Sequence, residues 1–262
     1  MKKVLVLAVA LFFVCAGYLA YTTFDSTTPS VIAAKAKTYM GTVYVAGMGG
    51  HFAKAEVTID PNNEKEPIKV DAKSLDRVVI GDKTSHPTHD PRIDSENSNV
   101  MFWSTYVLDA NKKQHVGKSD LKSGKVIKDV ALDPDPRAKA EKPPIYCASG
   151  QTKKSYMPVF MGTEAYIDVF DKSSLEHKHR VFVSDLGFKA GSYQFVHGIN
   201  SNDMKTFLVA LSLKGDDGKA NGKNEFILLD MAELEKGKAK EIKRVTLTGE
   251  PGKTLTFRMY FS

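Results

Sequence analysis

Cysteine is nearly missing from this chain. There are two in 262 residues, Cys15 and Cys147, and Cys15 falls inside an N-terminal apolar run. If that run is removed as a leader cut after Gly17, Cys147 stands alone and an intrachain disulfide is excluded. No CxxCH sequence occurs, so the stretch attaches no c-type haem of its own. Clustered cations are missing too. The net charge is +6, but lysine is spread along the whole length and interleaved with Asp and Glu. A nucleic-acid binder would gather its cations on one helix or stripe. Helical periodicity is scarce, and "MAELEKGKAKEIKR" (231–244), interrupted by Gly237, is the main helix candidate. No P-loop, dinucleotide-binding fingerprint or zinc-protease motif is present. "CASGQ" around Cys147 lacks the glycine that would precede the nucleophile in an elbow.

What is present begins with an export signal. Lys2 and Lys3 precede an apolar run from Val4 to Tyr21, with Cys15-Ala16-Gly17 as a small-x-small cleavage site. The run, residues 1–21, is read as a signal peptide or an N-terminal anchor, either cleaved or retained. Residues 22–38, rich in Thr, Ser, Ala and Lys, are read as a linker. The expected location is periplasmic or extracellular, with membrane contact only through the N-terminal segment.

From residue 39 onward, strand-like runs dominate: "GTVYVAGM" (41–48), "NVMFWSTYVLD" (99–109), "MPVFMGTEAYIDVFD" (157–171) and "KTFLVALSL" (205–213). Trp103 and Phe102 are core residues by pattern. A β-run ending in Asp, then a polar turn, then Lys and a β-branched residue, recurs at Asp60, Asp120, Asp171 and Asp230. Each copy reads as a hairpin whose Asp side chain caps the turn. A second element lies upstream: "HDPRIDSENSNVMFW" begins at His89 and "HGINSNDMKTFLVA" at His197. Combined, the two elements describe a unit of strand, polar turn, strand, strand, Asp turn, strand. Four-stranded units of roughly 50 residues are the blades of a β-propeller. The predicted fold is all-β, with residues 39–262 holding about four blades. The end of the chain, "LTFRMYFS", reads as the opening strand of a fifth, within a ring of seven or eight.

The Asp-turn strands resemble the YVTN-type propeller repeats of bacterial exported proteins. The His-bearing turns are similar to those of the cytochrome d1 and nitrous oxide reductase propellers. The resemblance covers residues 40–262. It implies an exported binding or scaffold module working beside periplasmic redox proteins. The alternative is a haem d1- or copper-dependent oxidoreductase with further ligands beyond residue 262.

The candidate cofactor and metal residues are His86, His89 and His197. His89 and His197 hold matching repeat positions in two blades that are not neighbours, and the blade between them has no matching histidine. His86 joins them through the bend at Pro87. A histidine here either caps a loop or reaches a ligand. Converging imidazoles would suit copper or haem iron, as the resemblance implies. Asp90 and Asp203 are the expected supporting carboxylates. His51 follows a glycine turn, His115 reads as an exposed loop residue in "NKKQHVGK", and His177 and His179 read as one solvated edge.

Overall fold

The computed structural model describes residues 36–139 and 145–250. The leader at 1–21, most of the 22–38 linker, Pro143, Pro144 and the C-terminal run read as a fifth blade lie outside the described residues.

Four four-stranded antiparallel sheets follow one another along the chain. The first contains β1 (Tyr39–Gly47), β2 (His51–Ile59), β3 (Ile68–Val70) and β4 (Asp76–Val79). The second contains β5 (Arg92–Ile93), β6 (Val100–Ser104), β7 (Gln114–Asp120) and β8 (Lys125–Leu132). The third runs from β9 (Tyr146–Gln151) through β10 (Ser155–Phe160) and β11 (Tyr166–Asp171) to β12 (His177–Phe182). The fourth holds β13 (Tyr193–Asn200), β14 (Thr206–Lys214), β15 (Ala220–Asp230) and β16 (Glu241–Thr248). Sheets two to four are simple meanders, each strand pairing with the next. These are the blades of a β-propeller.

The described chain forms two compact units. One is the part up to Gly41 with Val57–Val70; the other is Thr42–Glu56 with the chain from Asp71. In the first unit, Val57 pairs with Val70 around the Asp60 turn, and the Asn62 amide exchanges two hydrogen bonds with the backbone of Ala36 at 2.7 and 2.9 Å. All that follows concerns the second unit.

Strands β6, β10 and β11 are buried on both faces, so the strand period of two shows there as an alternation between cores. On β6, Met101 and Trp103 enter a core with Phe52, Val78 and Ile80, while Phe102 enters another with Tyr146, Tyr156 and Phe160. On β10, Tyr156 and Phe160 belong to that second core, and Met157 and Val159 to a third with Phe207, Val209 and Ile227. Each core therefore lies between two successive blades. Trp103 and Phe102 are core residues, as the pattern predicts.

The repeat turns match the hairpins. Asp120, Asp171 and Asp230 each close the third strand of a blade. Each carboxylate accepts backbone N–H bonds from the turn it starts: from Ser123 at 2.7 Å, Ser174 at 2.7 Å and Ala232 at 3.0 Å. The helix expected over 231–244 is a single turn, α1 (Met231–Leu234). Asp230 caps its start, Gly237 turns the chain at φ +79°, and residues from Glu241 pair with β15 instead. Tertiary pairing overrides helix propensity here.

The inner strands of blades three and four approach closely at glycine. Phe207 sits against both Gly150 on β9 and Gly198 on β13, where an added Cβ would fall 2.5 and 2.9 Å from its ring. Any side chain at either position would push the two strands apart.

A buried carboxylate organises blade three. Asp168 is fully buried. It accepts from Tyr146 Oη at 2.5 Å, His177 Nε2 at 2.8 Å, and Arg180 Nε at 2.7 Å with a second guanidinium bond at 3.1 Å. His177 is thus tied to the interior rather than forming a solvated edge with His179, which is exposed. Removing one member of a buried ion pair costs about 3–5 kcal/mol, because its partner stays charged and unmatched. Asp168→Ala is expected to lower unfolding stability by that amount in urea, followed by circular dichroism, whereas Asp171→Ala in the exposed turn should cost a small fraction of it. Equal losses from the two would contradict the assignment.

Candidate functional site on the inner strands

Strands β5, β9 and β13 open blades two, three and four, and lie side by side without sheet hydrogen bonds between them. Side chains join them instead. Arg92 donates to Ser149 Oγ at 3.0 Å and to its carbonyl at 2.7 Å. Ser149 Oγ donates to Asp90 Oδ2 at 2.8 Å, and Asp90 also pairs with Arg92 at 3.4 Å. Gln151 donates to the Ile93 carbonyl at 2.9 Å, while its own backbone N–H reaches Asn200 Oδ1 at 3.0 Å. Near the far ends of these strands a cavity of about 230 Å³ is lined by Arg92, Ser95, Gln151, Asn200, Asn202 and Met204.

Three chemically active side chains share this face. His89 precedes β5, is exposed, and packs its ring 5.5 Å from that of Tyr106. Its Nδ1 faces Cys147 Sγ on β9 at 3.3 Å, a thiol-to-imidazole contact. His197 lies on β13. Its Nδ1 is buried and makes no hydrogen bond among the described residues. Burial pulls the His197 pKa down; Asp90 opposes this, and Arg92 and His89 add to it. The ring is therefore held neutral, with a lone pair available. Burial, reinforced by Asp90, pushes the Cys147 thiol up to about 11.

Blade three, which has no matching histidine, carries Cys147 at the place of His89, three residues before the equivalent positions Gly150 and Arg92, whereas His197 sits one residue further along its strand. A correspondence of His89 and Cys147 on the first strands of blades two and three was readable once Cys147 was counted as a repeat position. Of the expected supporting carboxylates, Asp90 belongs to this group. Asp203 sits in the turn beyond β13, bonded to Ser201 Oγ at 2.7 Å and paired with Lys205 at 3.2 Å.

His86 is placed elsewhere. Its Nε2 lies 3.0 Å from Asp129 Oδ2 and its ring centroid 4.5 Å from that of His115. His115 is not an exposed loop residue: it lies on β7 and is 8% exposed. His51 opens β2 after the glycine turn.

No family model matches the sequence, and no curated protein matches it. Solved structures do show similarity. Hydrazine synthase of Kuenenia stuttgartiensis aligns at 12% identity and TM-score 0.44, covering 78% of this chain and 48% of that one. The β-propeller domain of Cps50 (Swd1) from Myceliophteria thermophila aligns at 11% identity and TM-score 0.40, covering 77% and 58%. The WD40 repeats of RRP9 align at 12% identity and TM-score 0.40, covering 64% and 40%. The chain spans about half the length of the hydrazine synthase chain it matches. The class, a β-propeller of four-stranded blades, rests on the four sheets and the cores between them.

With the thiol pKa near 11, only about one Cys147 in a thousand is thiolate at pH 8. Reaction with a disulfide reagent is expected to be slow at pH 8 and to speed up about tenfold per pH unit toward pH 10. Unfolding in urea should restore ordinary reactivity. A pH-independent fast reaction in the folded protein would refute the shielded thiol.

Proposed function

We propose that the chain is an exported β-propeller binding module, acting beside redox proteins of the periplasm, with the inner-strand face of blades two to four as its ligand site. The observation that carries this reading is the meeting of three blades at one polar face. There Cys147 pairs with His89 at 3.3 Å, and His197 offers a buried nitrogen that nothing among the described residues satisfies. Arg92 and Asp90 fix the framework around them. A pocket with a few convergent polar groups, built from several blades, is the usual form of a binding site in such folds. Lys2 and Lys3 before the apolar run support export, and the resemblance of the His-bearing turns to redox propellers supports the setting.

One observation favours the second reading, a copper- or haem d1-dependent oxidoreductase. A cysteine beside histidine is a soft ligand pair suited to Cu(I), and metal binding would displace the thiol proton.

Two measurements on the full chain separate these readings. Fractionation of cells should place the protein outside the cytoplasm; finding all of it inside, with its N-terminus intact, would overturn export. The purified binding module should be colourless and should withdraw no Cu(I) from a chromophoric chelator. Withdrawal of one Cu(I) per chain, lost in Cys147→Ser, would establish the oxidoreductase-type site instead.

A further inference from the structure

A second cluster, apart from the inner strands, has the composition and surroundings of a metal centre. His86 sits in the segment joining β4 to β5. His115 is on β7, and Asp129 is on the neighbouring β8. His86 Nε2, His115 Nδ1 and the Asp129 carboxylate all lie within 4.8 Å of one another. His115 Nδ1 is 3.0 Å from Asp129 Oδ1 and 3.1 Å from Oδ2, and His86 Nε2 is 3.0 Å from Oδ2. The two imidazole planes are inclined at 55°, so their nitrogens converge on one point from different directions.

The far side of each imidazole is also engaged. His86 Nδ1 is 2.7 Å from Ser85 Oγ. His115 Nε2 is 3.4 Å from Asp109 Oδ2, and the Asp109 side chain is 13% exposed. Metal-bound histidines almost always donate their other N–H to a carboxylate, carbonyl or hydroxyl-type oxygen, which fixes tautomer and ring orientation. Here both histidines have that support in place.

The convergence of donor atoms points the same way. Asp129 Oδ2 faces both imidazoles, at 3.0 Å from His86 Nε2 and 3.1 Å from His115 Nδ1. One divalent cation suits that convergence. It accepts lone pairs from His86 Nε2 and His115 Nδ1 and an oxygen of Asp129. His115 Nε2–H then donates to Asp109, and His86 Nδ1–H donates to Ser85 Oγ. Two carboxylates and two neutral imidazoles carry charge −2, which a divalent ion balances.

The site is held rigid from outside. The His86 backbone N–H reaches the Asp82 carbonyl at 2.9 Å. The His86 ring lies over Gly81, where an added Cβ would fall 2.2 Å from Nδ1, and edge-on to the buried Trp103 at 5.6 Å. The side chains of His86 and His115 are 12% and 11% exposed, against 32% for Asp129. The open quarter of the site therefore lies on the Asp129 side.

From this geometry we propose that His86, His115 and Asp129 bind a divalent transition-metal ion of the zinc class, supported by Asp109 and Ser85 and with a position left for water beside Asp129. Two imidazoles and one carboxylate with an open position suit Zn²⁺ and its neighbours in the first transition row, and do not suit Ca²⁺ or Mg²⁺, which take oxygen ligands. The ion would clip the segment leaving blade one onto the outer hairpin of blade two. This site is independent of the Cys147–His89 pair.

The test uses the full chain carrying an affinity tag without histidine. Titration with CoCl₂ is expected to give one Co²⁺ per chain, with visible d–d absorption and no sulfur-to-cobalt charge transfer. Added ZnSO₄ should displace it and raise the thermal midpoint. Asp129→Asn and His86→Gln should each weaken Co²⁺ binding at least tenfold, Asp109→Asn should weaken it about 10–100-fold, and Cys147→Ser should leave it unchanged. For any variant that fails to fold, X-ray absorption of the zinc-loaded wild type supplies the answer: nitrogen and oxygen scatterers near about 2.0 Å are expected. Absence of binding in the wild type, a sulfur shell, or binding unaltered in both Asp129→Asn and His86→Gln would overturn the proposal.

Discussion

The carboxylate of Asp168 is the fixed point of blade three. It is fully buried, and a buried charge is tolerated only when its lone pairs are met by donors and by opposite charge. Tyr146, His177 and Arg180 meet that demand, and in doing so they tie the first strand of the blade to its third and fourth. Arg180 in turn lies over the Tyr166 ring, 4.0 Å from its centroid, and its own pKa is raised, through burial opposed by the stronger combined pull of Asp168 and nearby tyrosines. The consequence reaches the inner-strand face. Tyr146 pairs with Phe160 and Ala148 with Val159, so Cys147 is the extra residue of a bulge in β9. Anchoring the Tyr146 hydroxyl on Asp168 fixes the start of that bulge, from which Cys147 faces His89 at 3.3 Å.

The fold was legible because it repeats. Four aspartates, each closing a β-run, marked hairpins that the structure contains at Asp60, Asp120, Asp171 and Asp230. The unbroken apolar runs in "NVMFWS" and "SYMPVF" belong to strands buried on both faces. The first blade shows where repetition hid detail. Its β2 pairs with β3 through Val57–Ile59 and with β4 through His51–Lys54, a split that the repeat pattern did not show. The single helical turn at Met231 was misjudged in length, because "EIKR" satisfies helix propensity and yet finds a ready partner edge on β15.

The chemistry was legible only in part. His89 and His197 stood out as repeat positions. Cys147 did not, because it was weighed as a solitary thiol rather than as the same position in the next blade. His115 and Asp129 left a fainter trace. They flank the Asp120 hairpin, and the register pairs His115 with Ala131 and Gly117 with Asp129. That puts the two side chains diagonally adjacent on one face of the hairpin, within reach of long side chains. Counting outward from Asp120 would have missed it, because a bulge between Lys118 and Ser119 shifts the register by one. That His86 would meet them could not be read from spacing, since it depends on the path of the chain between two sheets.

The three cores each lie between successive blades, and every blade is built from strands adjacent in sequence. Loop-closure cost is small for such pairings, and folding speed follows the locality of contacts. A blade formed alone, however, would leave one apolar face bare until its successor packed against it. The order of the chain is thus an order of assembly: each hairpin set can form on its own timescale, but its stability is conferred by the sheet that comes after. Damage to an aromatic such as Phe160 or Tyr166, whose rings stack at 4.5 Å between two sheets, would therefore be felt as a failure of blades to join, with the strands themselves still formed.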